Sequence, residues 1–309
     1  MSKNKIALIG AGNIGGQLAF MACLKELGDV VLLDVSPDTA KGKALDLSHA
    51  APVLNSSSKI TGTGSYEDIK DADVCIVTAG RARTPGMSRD DLLKINSDIM
   101  KTVAQGIKAN APKSFVIVVS NPLDAMLTLC QRETGFPSHM VVGMAGVLDS
   151  ARYRAFLAEE LGLTPASINA FVLGGHGDDM VPVRSYTTVN GIPISQLVKS
   201  ERLDEIEKRV RGAGGEVVGL LKTGSAFVSP AVSAIEMAES FLKDQKKVLP
   251  CAAHLSGQYG YKNLYMGVPV VIGKGGVEKV LEIELNAEEK KALDVSAASV
   301  QGLVNSLPA

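Results

Sequence analysis

The chain has 309 residues, 46% of them hydrophobic and 21% charged, with a net charge of −1. That length can bury a sizeable core, as one large domain or two smaller ones. Near-neutrality argues against a nucleic-acid or acidic-membrane partner, which would favour a basic excess, and no apolar run reaches the roughly 18 residues of a membrane span.

The chain opens "MSKNK" and passes at once into "IALIG", so no signal or transit peptide is expected. Five short apolar runs follow in the first half: 5–10, 29–34, 73–80, 115–120 and 140–144. They are near-continuous rather than alternating, the pattern of parallel strands covered on both faces. Helical spacing lies between them. Ile14, Leu18, Met21 and Ala22 share one helical face, and a second helix is expected over about 90–109. Strands alternating with helices imply right-handed βαβ units and a doubly wound sheet.

Past residue 145 the rhythm changes. A helix is expected over 149–161, a strand over 168–175 ("INAFVLGG"), and short strands near 182–189, 248–254 and 267–272. Helices are expected near 202–221 and 231–243, and Leu293, Ala297, Val300, Val304 and Leu307 line a final one. The expected fold is α/β: an N-terminal Rossmann doubly wound parallel sheet over residues 1–145, then an α+β substrate or catalytic domain over residues 146–309. Cys23, Cys75, Cys130 and Cys251 are scattered in apolar runs without CxxC spacing. They are expected as reduced, buried thiols of a cytoplasmic protein, with no metal site.

The first strand ends in Gly10-x-Gly12-x-x-Gly15 at the start of a helix. Gly10 permits the tight turn, Gly12 lets a pyrophosphate approach the backbone, and Gly15 lets helix and strand pack closely. The helix N-terminus favours anions. Asp34 ends the second strand, where an acid binds a ribose 2′-hydroxyl. Its charge would repel a 2′-phosphate, and "VSP" after it offers no balancing Arg. NAD is therefore expected over NADP.

Four further segments carry polar groups suited to substrate chemistry. "GRARTPGMSRDD" brings Arg81, Arg83 and Arg89 close together in a loop. In "SNPLD", Asn121 follows a strand end, where ligands bind in open α/β sheets; a plain Asn-Pro turn is the alternative. "LDSARYR" spaces Asp149 and Arg152 for one helix face, and a simple ion pair there is equally expected. "LGGHGDD" sets His176 between glycines, where a substrate can come close. His49, His139 and His254 lack such context and read as structural or solvated.

With a dinucleotide site, this set suggests oxidation of a secondary alcohol, which needs a base for the hydroxyl proton and a cofactor for the hydride. His176 suits the proton at neutral pH, with Asp149 as the candidate carboxylate that orients it. Arg152 suits a substrate carboxylate.

The segments "GAGNIG", "PGMSRDDLL", "SNPLD", "GVLDSARYR", "LGGHGDDMVPV" and "LLKTGSAF" together resemble the lactate/malate dehydrogenase family, in its lactate-dehydrogenase-like malate dehydrogenase branch. The likeness runs from about residue 5 to the C-terminal helix. It implies NAD-dependent oxidation of a dicarboxylate, malate, to oxaloacetate, with lactate or another 2-hydroxyacid as the rival substrate. It implies His176 as proton acceptor and donor, Asp149 as its partner, and Arg89 as the lid arginine that polarises the carbonyl. It implies substrate binding by Arg83, Arg89, Asn121, Arg152 and Ser225. The implied cofactor contacts are Gly10, Ala11, Gly12, Asn13, Ile14, Gly15, Asp34, Asn96, Val119, Ser120 and Asn121. Arg83 matches the position where lactate dehydrogenases usually carry Gln. Arg81 and Thr84 depart from the family's usual loop, and the unbroken "PGMSR" keeps Arg83 in register. A homo-oligomer is implied, a tetramer ahead of a dimer.

Overall fold

The computed structural model of the chain describes residues 3–81 and 89–308, with the side chains of Arg89 and Asp90 outside that description. In chain order the first half runs β1 (Lys5–Ile9), α1 (Asn13–Leu24), β2 (Asp29–Leu33), α2 (Pro37–Ala50), β3 (Ile60–Thr63), β4 (Val74–Val77), α3 (Arg89–Asn110), β5 (Phe115–Val118), α4 (Leu123–Thr134) and β6 (Val141–Gly143). The six strands form a parallel sheet in the order β3-β2-β1-β4-β5-β6, with crossovers at β1 that define a doubly wound fold.

Successive strand residues enter different cores, which explains the near-continuous apolar runs. Ile6 and Leu8, with Val74, Ile76, Phe115 and Ile117, join a core that includes side chains of α1 and α2. Ala7 and Ile9, with Cys75, Val77, Val116 and Val118, join another that includes side chains of α3 and α4. Both sheet faces are covered, so neither can be polar. β3 escapes the sequence reading because "ITGT" is short and weakly apolar. Its Gly62 is required by α2: an added Cβ would lie 2.3 Å from the Ala40 carbonyl oxygen.

The second half runs α5 (Gly146–Leu161), β7 (Ile168–Asn169), β8 (Val172–Leu173), β9 (Val181–Pro182), β10 (Thr188–Val189), β11 (Ile192–Pro193), α6 (Ser200–Leu221), α7 (Val228–Leu242), β12 (Lys247–Ser256), β13 (Lys262–Gly273), β14 (Gly276–Val280) and α8 (Ala287–Asn305). β12, β13 and β14 continue the main sheet antiparallel, joined through Ala252 opposite Gly143 of β6. The expected single strand over 168–175 divides. Its first part pairs with β10 and its second with β9, so one run serves two small sheets. The run near 182–189 divides likewise, at a 3-10 turn over Arg184–Tyr186.

α8 starts with a capping box, Asn286 accepting from the Glu289 amide while Glu289 accepts from Asn286 N–H. Leu293, Ala297, Val300 and Val304 are buried as the spacing predicts, and Leu307 lies just past the helix end. All four cysteines are buried and free, and burial pushes the Cys75 and Cys130 thiols up to about 12. Among the described residues no helix is long and apolar enough to cross a membrane, and no cluster of His, Cys, Asp or Glu is placed to hold a metal ion.

Candidate active site

The glycine loop and the second strand end meet through two hydrogen bonds, from the Gly10 amide to the Leu33 carbonyl and from the Ala11 amide to Asp34. Gly10 takes φ +111°, and an added Cβ there would lie 2.6 Å from Thr78 Oγ1. Only glycine fits such a turn without strain. At Gly15 an added Cβ would lie 1.9 Å from the Gly10 carbonyl oxygen, so helix and loop close only around glycine. At Gly12 an added Cβ meets no atom of the described residues within 4 Å. Gly12 is the N-cap of α1, whose first turn has no side-chain cap and no acidic residue. Free N–H groups there suit a pyrophosphate.

Asp34 accepts from the Ala11 amide at 2.6 Å and from the Ser36 amide at 2.9 Å. Its carboxylate thus stands at the loop, placed for a ribose diol. Lys43 of α2 donates to the Gly12 carbonyl at 2.8 Å. The sequence offered no reason to single it out, because α2 brings it to the loop from 31 residues away. These residues fit a dinucleotide.

Val119 and Ser120 are buried at the end of β5, and Ser120 donates to the Ala79 carbonyl at 2.6 Å. Asn121 is exposed and joined to Pro122 by a cis peptide bond. Asn96 on α3 is only 2% exposed. Its Oδ1 accepts from the Arg81 amide at 2.7 Å, and its Nδ2 donates to the carbonyls of Arg81 (3.1 Å) and Asn121 (2.6 Å). Asn96 therefore ties the root of the arginine loop to the Asn121 turn through backbone groups. Arg81 itself is exposed at that root. Arg83, Thr84, Pro85 and Gly86 lie outside the described residues. Arg89 is the first residue of α3, and its side chain lies outside the description too.

The polar centre forms where the two halves of the chain meet. His176 Nδ1 lies 2.8 Å from Asp149 Oδ2, and Arg152 donates to Asp149 Oδ1 at 3.3 Å. Asp149 is 2% exposed. It sits in the first turn of α5, where the helix dipole favours a carboxylate. The ion pair that the Asp149–Arg152 spacing allows is thus present, with one nitrogen rather than a fork. Burial pulls the His176 imidazole down. The charge and hydrogen bond of Asp149 and the charge of Asp124 push it up, and the net direction is above its usual value.

The backbone under His176 is held by three elements. Gly174, at φ +87°, exchanges two 2.9 Å hydrogen bonds with Gly267 of β13. The Gly175 amide donates to Ser296 Oγ of α8 at 2.9 Å, and the His176 amide to Asp124 Oδ2 of α4 at 3.0 Å. The sequence reading quoted Asp124 within "SNPLD" but assigned it no role. Ser225 lies exposed between α6 and α7, outside this hydrogen-bonded group. Of the other histidines, His49 and His139 are exposed, and His254 sits edge-on to Tyr265 at 5.2 Å.

Residues 4–143 match the lactate/malate dehydrogenase NAD binding domain, and residues 146–306 match the alpha/beta C-terminal domain of the same family. The chain belongs to the lactate/malate dehydrogenase family. It is an NAD-dependent oxidoreductase. Within the family it is 58% identical over 316 residues to the malate dehydrogenase of Citrifermentans bemidjiense, covering 99% of this chain and 100% of that one. It is 60% identical over 315 residues to malate dehydrogenase 2 of Anaeromyxobacter dehalogenans, with the same coverage. Among solved structures it matches Cryptosporidium parvum malate dehydrogenase at a TM-score of 0.96 and 45% identity, over 99% of both chains. It also matches the lactate dehydrogenase of that organism, complexed with lactic acid and nicotinamide adenine dinucleotide. That match has a TM-score of 0.97 and 44% identity, over 99% of this chain and 98% of the other. A malate and a lactate dehydrogenase thus share the overall fold of this chain.

Proposed function

We propose that the protein interconverts (S)-malate and oxaloacetate with NAD, residues 1–145 holding the dinucleotide and residues 146–309 supplying the base and the Arg152 clamp. The observation that carries the chemistry is the Asp149 carboxylate, with one oxygen on His176 and the other on Arg152. Asp149 holds the proton on Nδ1, which leaves Nε2 to take the substrate hydroxyl proton and to return it in the reverse reaction. The same carboxylate offsets the charge that His176 gains. Arg152 binds the C1 carboxylate, and Asn121 and Ser225 line the substrate. Arg89 polarises the carbonyl, and Arg83 pairs with the second carboxylate. When bound along residues 10–15, with Asp34 on its ribose and residues 119–121 at its nicotinamide end, NAD supplies the hydride acceptor. Asn96 supports that end through the backbone groups it ties together.

Malate rather than lactate is favoured by Arg83 and by relatives at 58% and 60% identity that are malate dehydrogenases along their whole length. Steady-state kinetics test the choice. Oxaloacetate should be reduced with the higher kcat/KM, and a value for pyruvate equal or greater would refute it.

Asp34 selects the cofactor. Asp34→Ser removes a charge-assisted hydrogen bond and the repulsion of a 2′-phosphate. The preference for NAD over NADP should fall by about tenfold or more in kcat/KM. An unchanged preference would move selection elsewhere.

A cytoplasmic homo-oligomer, a tetramer ahead of a dimer, completes the reading. Val218, Leu220 and Leu221 of α6 and Val228 and Val232 of α7 are exposed, Leu220 at 76%. Clustered apolar exposure marks protein–protein contact. Sedimentation equilibrium should return a multiple of the 32.3 kDa chain mass, and a monomer at micromolar concentration would refute the assembly.

A further inference from the structure

Asp124 is a buried carboxylate that the reaction described above does not use. It is 4% exposed and stands in the first turn of α4, three residues after Asn121. Its Oδ2 accepts from the His176 amide at 3.0 Å, and its Oδ1 is buried with no hydrogen-bond partner among the described residues. A half-satisfied buried carboxylate is unfavourable, and a chain keeps one only where another arrangement is worse. The position says what it does. Asn121 and Asp124 come from the first half of the chain, and His176 from the second. The bond spans 52 residues and fixes one to the other. Beside it, Ser296 of α8 takes the Gly175 amide, so two successive amides of the loop are each bound by a side chain from a different helix. An added Cβ at Gly175 would lie 3.4 Å from Asp124 Oδ2, so the loop runs close over the carboxylate.

We propose that Asp124 is a positioning residue for His176: its carboxylate clamps the His176 amide and so registers the base against the Asn121 turn. The clamp rests on the functional reading only in treating His176 as the base. Among the described residues, the ionisable groups that act on Asp124 are His176 itself and Asp149 of α5. Burial pushes Asp124 up to about 6, against the pull of the His176 amide and charge, so it is ionised above that pH. Its negative charge then adds to that of Asp149 in favouring the imidazolium.

Two full-length variants separate the clamp from the charge. Asp124→Asn keeps an acceptor oxygen and loses the charge. Asp124→Ala loses both. The readouts are kcat and KM for oxaloacetate reduction, and the His176 imidazole titration followed by NMR in the cofactor-free protein. Both variants should titrate His176 at lower pH than wild type. Asp124→Ala should lose about 10- to 100-fold in kcat, with a smaller change in KM, because a small misplacement of a catalytic group has that effect. Asp124→Asn should recover most of that loss. A folded Asp124→Ala with unchanged kcat overturns the proposal whatever its His176 titration does. If the Ala variant does not fold, Asp124→Leu, which fills the site without an acceptor, decides: an unchanged kcat overturns the proposal, and a loss of kcat that Asp124→Asn does not share supports it. Failure of wild type to reduce any 2-keto acid would sink the functional reading instead; hydrogen exchange of the His176 amide would still decide the clamp, faster exchange in Asp124→Ala than in wild type supporting it and an equal rate overturning it.

Discussion

Replacing His176 with Ala should lower kcat for oxaloacetate reduction by about 10²- to 10⁴-fold, the range set by loss of a positioned proton donor. Binding of NADH should change little, because the glycine loop and Asp34 make no contact with the imidazole. Asp149→Asn should bring a loss of similar order by another route. An amide cannot hold the Nδ1 proton and also compensate the imidazolium, so the ring loses both its tautomer and its charge partner. The pH profile follows from the raised imidazole value. Reduction needs His176 protonated, so kcat/KM for the keto acid should hold at low pH and fall as pH rises through a value above 6.5. Oxidation needs the neutral ring and should rise through the same point. The linked stability has one sign. A histidine whose folded value is raised stabilises the protein fully below its unfolded value, and that contribution disappears as pH rises through the folded one. In Asp149→Asn the kinetic inflection should move to lower pH. Steady-state rates across the neutral range check each point, and full activity in His176→Ala would remove the base from the assignment.

Arg83→Gln should cut kcat/KM for oxaloacetate by about 10²- to 10³-fold and raise that for pyruvate. Removing one partner of a desolvated ion pair costs about 3–5 kcal/mol, which converts to roughly 10²- to 5 × 10³-fold, and the lower part of that range suits a pair at the edge of a lid. Pyruvate offers a methyl group where oxaloacetate has its second carboxylate, so Gln strands no charge against it. The overall fold is common to both activities. A malate and a lactate dehydrogenase of one organism match the chain at TM-scores of 0.96 and 0.97. Kinetics of wild type and variant on both keto acids measure the ratio directly. A ratio that stays constant would transfer selection to another residue, and Arg81, exposed at the root of the same loop, is the first to examine.

Much of the first half was legible because its signals are local. A continuous apolar run reads as a strand covered on both faces, and β1, β2, β4, β5 and β6 lie where such runs occur. The spacing of Gly10, Gly12 and Gly15 is a demand of one tight turn and one close helix contact, both within six residues. Even the meeting of Asp34 with the loop follows from two neighbouring parallel strands in register. The second half resisted because its strands take their partners from afar. Nothing within "INAFVLGG" tells Ile168 to pair with Val189 and Val172 with Pro182. β3 and β14 are strands because of the edge each is offered, not because of their composition.

The candidate site divides in the same way. Residue types and flanking glycines marked His176, Asp149 and Arg152 as suited to proton transfer and carboxylate binding. Their meeting is tertiary: 27 residues separate Asp149 from His176, and 52 separate Asp124 from it. Asn96 shows the limit from the other side. The family resemblance implies it as a cofactor contact, and folding engages its amide with the backbone of Arg81 and Asn121. The sequence by itself determined the sheet's parallel half, the dinucleotide loop and the kinds of side chain available for chemistry. These depend on hydrophobic period and turn sterics, which act over a few residues. Only the tertiary structure decided which carboxylate orients the histidine, which one clamps its backbone, and which polar groups are engaged in holding loops. Those outcomes depend on distances between groups far apart in the chain, and they exist only once the two halves are packed together.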